Sequence, residues 1–160
     1  MKVENNIKAL IAHFILVVAS FILLLIIFFV TGQIIWKYII HIAIRVPLAI
    51  VLMLSYVYVG TLLDTKMDKK YHFLAGSLIA VIGLGLWLYT FSITREKVNI
   101  LPEEFIDEYW IPFYLYYMPI LMSCFLLGIP FRSLTFFANF IPSLLIGIGL
   151  SYKRLKMQRK

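Results

Sequence analysis

The sequence has a single cysteine, Cys124, and its long apolar runs contain no aspartate or glutamate. One cysteine excludes an intramolecular disulfide and a cysteine-based metal site, so we expect Cys124 to be a small packing residue. Without intramembrane carboxylates a proton relay is poorly supported. Glycine-rich phosphate loops and the HExxH and CxxC motifs are also missing, and with them the common signatures of nucleotide, zinc and redox chemistry. We therefore expect no cofactor and no catalytic residue.

Apolar residues are abundant instead. They make up 62% of the 160 residues, against about 45–50% in soluble domains, and a soluble fold of this size cannot bury so many. The backbone of a lipid-exposed segment must satisfy its own hydrogen bonds, and the runs are too uniformly apolar for barrel strands. The sequence therefore predicts an all-α, polytopic transmembrane helical bundle forming one domain, 1–160. Five apolar segments are expected at about 9–31, 42–63, 71–93, 110–129 and 133–151, followed by a basic tail, 152–160.

The segment from Trp110 to Ile129 leaves two topologies open. Its 20 uncharged residues are long enough to span, which favours five spans. Pro112, Pro119 and a cluster of aromatic residues favour the alternative, in which this segment is re-entrant or interfacial and only four helices span. In the five-span topology the two termini lie on opposite sides, whereas the alternative places both on the same side.

The formal net charge of +7 comes from basic residues that lie between the apolar runs and in the tail. Such a distribution indicates topology signals and contacts with anionic lipids rather than nucleic acid. The positive-inside rule places the tail in the cytoplasm and favours the re-entrant alternative, which has the larger charge bias. The abundance of Ile, Lys, Tyr and Phe is typical of an AT-rich bacterial genome, so we expect an integral cytoplasmic membrane protein of bacterial origin.

A row of four polar residues recurs at every fourth position: Gln33, Lys37, His41 and Arg45. On one helix this spacing would place them along one stripe. Three interpretations remain open. The row contacts lipid head groups from an interfacial helix, it binds an anion inside the bundle, or it marks the membrane boundary with Lys37 and Arg45 extended towards water.

A second polar cluster consists of Asp64, Asp68 and His72, again spaced by four. On a continuous helix these side chains share a face, and two carboxylates with an imidazole could hold a divalent cation. The alternative is a hydrated turn, because lysines are interspersed and loops between spans are normally charged.

Two segments have small residues at helical spacing, which lets helix backbones approach closely in lipid. These faces are predicted either to dock on a partner or to contact this chain's own helices. They are Gly76, Ala80 and Gly83 in the third segment and Ser143, Gly147 and Ser151 in the fifth. We further expect His13 near the membrane boundary, and Asn139 to bond across helices.

These features favour a protein that acts through interaction, as an accessory subunit of a membrane complex or an immunity-type protein. Its expected partners are the bilayer, especially anionic lipids, and a membrane protein or further copies of the chain. The alternative is a lipid- or anion-handling enzyme or carrier that uses the basic row. A channel would need an oligomer, because one chain offers too little polar lining.

Overall fold

A computed structural model describes residues 3–35, 42–65, 69–97 and 107–159. These residues are almost entirely helical and contain no strand, so the predicted all-α bundle is confirmed. Within the described ranges the helices are α1 (Val3–Ile35), α2 (Ile42–Leu62), α3 (Ser77–Lys97), α4 (Ile111–Tyr116), α5 (Met118–Leu127), α6 (Thr135–Ala138) and α7 (Ile141–Gln158). Short 3₁₀ helices cover Lys69–Gly76, Asp107–Trp110 and Phe131–Leu134.

The described part of the chain has four stretches long and apolar enough to cross a membrane: Glu4–Phe29, Ile44–Leu62, His72–Arg95 and Thr135–Gln158. A fifth is added only if α4 and α5 are taken together as one broken span. Each stretch is helical because its backbone groups have no other partners at membrane depth. Pro47 lies inside α2, in its second turn, where its missing N–H removes one intrahelical hydrogen bond.

Polar contacts define one end of the bundle, here called the terminal end. The Asn5 side chain near the start of α1 pairs with the backbone of Asp64 just after α2. His72, just before α3, bonds to Ser151 near the end of α7. Successive long helices therefore alternate in direction, and α1 begins at the same end at which α7 finishes.

Helices α4 and α5 meet at Tyr117 with a bend of 98°. The bend has a local cause, because Pro119 is among the first residues of α5 and cannot donate the backbone bond that would continue α4. Tyr117 has φ −98° and ψ 27°, outside the helical range. At the other end of α5, Gly128 adopts a φ of 71°, the left-handed conformation that commonly terminates a helix.

Contacts place both ends of the α4–α5 pair at the end of the bundle opposite the termini. Thr90, in the half of α3 away from the terminal end, bonds to the Tyr109 carbonyl just before α4. Arg45, near the start of α2, bonds to the Leu126 carbonyl at the end of α5. The bend itself reaches inward, since the Tyr116 hydroxyl bonds to Ile79 in the first turn of α3. The pair thus enters and leaves at one end, the arrangement of the re-entrant alternative.

Candidate functional site

The most deeply buried polar contact joins α1 to α2. His13 Nδ1 lies 2.8 Å from the Tyr56 hydroxyl, and the two side chains are 0% and 1% exposed. The His13 ring also contacts Tyr116, with ring centroids 4.7 Å apart, and Tyr117, at 6.0 Å. Its other nitrogen, Nε2, is buried and has no hydrogen-bond partner among the described residues. We call these four residues the tyrosine–histidine core.

The tyrosine–histidine core also holds the tip of the re-entrant pair. The Tyr116 hydroxyl donates to the Ile79 carbonyl at 3.1 Å, and the Tyr117 hydroxyl lies 3.4 Å from the Asn139 carbonyl. Gly83 provides the room, because a Cβ there would overlap the Tyr117 hydroxyl. Buried hydroxyls that find carbonyl partners stabilise a packed arrangement, so this core fixes the α4–α5 tip against four other helical elements.

Two single-residue expectations from the sequence concern His13 and Asn139. The depth of His13 in the membrane stays a prediction, and its side chain is fully buried in the bundle. The expectation for Asn139 was wrong. Asn139 does not bond across helices through its side chain. Its Nδ2 instead donates to the carbonyls of Thr135 and Phe136 at 3.3 and 2.9 Å, which closes the end of α6.

A second polar layer occupies the terminal end, where side chains satisfy the free backbone groups of helix ends. Asn5 makes bonds of 2.9 and 3.2 Å to the carbonyl and amide of Asp64. Asn6 accepts a bond from the Leu78 amide in the first turn of α3 at 3.3 Å. Lys153 donates to the Leu63 carbonyl after α2 at 2.7 Å. These contacts provide partners for backbone groups that are left free at helix ends, and they link α1, α2, α3 and α7.

The predicted basic row does not lie on one described helix. Gln33 belongs to α1 and Arg45 to α2, while Lys37 and His41 lie outside the described residues. Arg45 donates from Nε to the Leu126 carbonyl at 2.8 Å and from Nη2 to the Phe125 carbonyl at 3.4 Å. A cation at the carboxyl end of a helix is favoured by the helix dipole and by its free carbonyls. Arg45 thus caps the returning helix α5.

Replacing Arg45 with glutamine is expected to lower the free energy of unfolding by about 1–2 kcal/mol, because α5 loses a charged cap. The measurement is thermal unfolding of the purified protein in lipid nanodiscs. Arg95→Gln is the matched control, since Arg95 is an exposed arginine near the end of α3. Equal melting temperatures for the two variants would contradict the capping role of Arg45.

The proposed cation cluster is described only in part, because Asp68 lies outside the described residues. His72 is 1% exposed, and its Nδ1 lies 3.0 Å from the Ser151 hydroxyl. The backbone of Asp64 is engaged by Asn5. In the described ranges no group of three histidine, cysteine, aspartate or glutamate side chains comes together. The metal site therefore remains a prediction from the sequence.

The small residues of the third and fifth segments contact other parts of this chain. A Cβ at Gly76 would lie 2.9 Å from Ser143 Cα, and one at Gly147 would lie 2.5 Å from the Phe73 ring. Ser151 contacts His72, Gly83 faces Tyr117, and Ala80 lines an open cleft. The closest contact between two helices was not predicted from the sequence. It lies between Gly60 of α2 and Gly149 of α7, where either Cβ would come within 3.0 Å of the other glycine's Cα.

Three surface cavities lie beside these contacts. A cleft of about 270 Å³ separates α3 from α7 and is lined by Ala80, Val81 and Leu144, among others. A smaller pocket of about 140 Å³ is lined by His72, Ser151, Arg154 and Leu155. The third, of about 230 Å³, lies between α1 and α5.

This architecture is an all-α bundle in which, among the described residues, four stretches are long and apolar enough to cross a membrane and one broken helix pair enters and leaves at one end. Comparison of the chain with protein-family models, with curated proteins and with solved structures finds no match.

Proposed function

We propose that this chain is a bacterial cytoplasmic membrane protein that acts by binding another membrane protein, as an accessory subunit or an immunity-type protein, without chemistry of its own. In this proposal the C-terminus is cytoplasmic. Three segments adjoin the terminal end: 1–8, 64–72 and 152–160. Together they hold ten of the 15 lysine and arginine residues, and such a bias marks the cytoplasmic side.

The way the described polar residues are used supports an interaction role. His13 contacts Tyr56, Asn5 contacts the α2 end, and Arg45 caps α5. Each of these contacts joins one helix to another. Residues committed to holding helices together build a rigid scaffold, and a scaffold acts through the surfaces that it presents.

The proposed binding surface is the face formed by α1 and α5. The apolar stretch of α1, Glu4–Phe29, has a mean hydropathy of 3.1, and only 17% of its most apolar part is buried by the rest of the chain. The corresponding value for the stretch that contains α7, Thr135–Gln158, is 50%. The adjoining cleft is lined by Leu24, Met118, Leu121, Met122 and Phe125. Methionine side chains adapt their shape and are common at protein-binding surfaces. A transmembrane helix of a partner would cover this face.

Site-specific photo-crosslinking in native membranes tests the proposal. A benzophenone amino acid replaces Phe125, which is 47% exposed at the α1–α5 face. The matched control replaces Tyr89, an aromatic residue of α3 that is 63% exposed. We expect one protein adduct of defined mass from position 125 and none from position 89. An adduct of twice the chain's mass identifies a homo-oligomer, which the proposal includes. Lipid adducts alone at both positions would refute it.

The alternative of lipid or anion handling by the basic row has less support from the described contacts. Arg45, its one member with a described side chain, is directed to the carbonyls of Leu126 and Phe125. We therefore retain interaction as the proposed function.

A further inference from the structure

We propose that the cleft between α3 and α7 binds an acyl chain of an anionic phospholipid, whose phosphate lies in the pocket formed by His72, Ser151 and Arg154. This site is on a different face from α1 and α5, so the proposal goes beyond the proposed function.

The walls of the cleft suit a hydrocarbon chain. They consist mainly of apolar side chains that are themselves exposed, including Leu74, Val81 and Leu144. Its two serines are already engaged, since Ser77 donates to Asn6 and Ser143 donates to the Phe73 carbonyl. The cleft therefore offers little to water, and at membrane depth an apolar chain is its natural occupant.

The volume of the cleft, about 270 Å³, accommodates part of a flexible hydrocarbon chain. The polar pocket beside this cleft favours a lipid over a helix of another protein, and the cleft between α1 and α5 is lined by apolar side chains alone.

The polar pocket lies at the distance at which a head group would be found. Leu144 in the cleft and Ser151 in the pocket are seven residues apart on α7. Seven residues bring the helix back to nearly the same face after a rise of about 10 Å. The phosphate of a lipid lies in the interfacial layer of its leaflet, which is about 5–7 Å thick and directly follows the hydrocarbon core. One lipid can therefore place its acyl chain in the cleft and its phosphate in the pocket.

Charge favours an anionic head group. Segments 1–8, 64–72 and 152–160 adjoin the terminal end, and together they have ten basic and three acidic residues. The remaining five basic and five acidic residues of the chain cancel. The net positive charge thus comes from the segments at the end where the pocket lies, and Arg154 is one of the residues that line the pocket. Arginine recognises phosphate by bidentate hydrogen bonds.

Native mass spectrometry of the full chain in detergent, with defined lipids added, tests the site. We expect dioleoylphosphatidylglycerol to be retained about tenfold more tightly than dioleoylglycerol, which has the same chains but no phosphate, the effect of one charged hydrogen-bonded contact. Arg154→Gln should remove this preference, whereas Arg95→Gln, the same change at an exposed position near the far end of α3, should keep it. Arg154→Lys should retain part of the preference. Equal behaviour of Arg154→Gln and Arg95→Gln would overturn the proposal.

A second pair of variants tests whether the cleft binds the acyl chain. Ala80→Leu fills the cleft without changing charge, and Ala19→Leu places the same group on an exposed position of α1. We expect Ala80→Leu alone to weaken retention of phosphatidylglycerol roughly fivefold, the effect of excluding about one methylene group from the cleft. Glycerol 3-phosphate, the head group without chains, should not displace the lipid at equal concentration. If Ala80→Leu has no effect, or if glycerol 3-phosphate displaces the lipid, the cleft is not the binding site.

Discussion

Replacing Gly149 with alanine is expected to lower the free energy of unfolding by about 2–3 kcal/mol and the melting temperature by about 5 °C or more. The α2–α7 crossing is the cause. A Cβ at Gly149 would overlap the carbonyl oxygen of Val57 and lie 3.0 Å from Gly60 Cα. Both obstacles are backbone atoms of a helix, so no rotamer change relieves the clash and the helices must separate.

Gly85→Ala is the matched control for this prediction. Gly85 lies in the interior of α3, and a Cβ there would meet nothing within 4 Å. Alanine is the better helix former by about 1 kcal/mol, so this variant should be as stable as the parent or slightly more stable. Thermal unfolding in nanodiscs compares the two. If Gly149→Ala melts at the same temperature as Gly85→Ala, the close α2–α7 crossing is incorrect.

Tyr56→Phe is expected to destabilise the protein by about 1–3 kcal/mol, although it removes only one oxygen atom. The Tyr56 hydroxyl is 2.8 Å from His13 Nδ1 in a site from which water is excluded. Without it the imidazole is left buried and unpaired, which costs more than the hydrogen bond itself contributes. Tyr58→Phe is the control, because Tyr58 lies on the same helix and is 64% exposed.

A double variant separates loss of the bond from loss of packing. Replacing both partners, as His13→Phe with Tyr56→Phe, leaves no unpaired polar group and should recover most of the stability lost in Tyr56→Phe alone. Additive losses in the double variant would contradict the hydrogen-bonded pairing of these two residues.

The fold class followed from the sequence because helices are the only spanning structures that a chain this apolar can form. The break at Tyr117 was also foreseeable, since Pro112 and Pro119 flank it. Apart from the small residues at helical spacing, the residues that face inward could not be predicted. A soluble helix reveals its buried face by alternation of apolar and polar residues, but a lipid-facing helix is apolar on every side. Gly60 and Gly149 therefore gave no periodic signal, although their contact sets the closest approach of two spans.

The candidate sites were harder to predict because each depended on the assumption of a continuous helix. Gln33 and Arg45 share a stripe only if they lie on one helix, yet Gln33 belongs to α1 and Arg45 to α2, and these two helices run in opposite directions. The buried contact of His13 was not predicted, because a single imidazole in an apolar run does not indicate its partner. Tyr56 is 43 residues away in sequence, and only the packing of α1 against α2 brings the two together.

The central structural claim is that the α4–α5 pair enters and leaves the bundle at one end while both termini lie at the other. Cysteine labelling tests it directly. In a Cys124→Ala background, single cysteines replace Glu108 and Arg132, which are exposed on either side of the pair. A membrane-impermeant maleimide should label both from the same side of sealed vesicles, and should label Lys8→Cys and Arg159→Cys from the other. Labelling of positions 108 and 132 from opposite sides would show a fifth span and contradict the re-entrant arrangement.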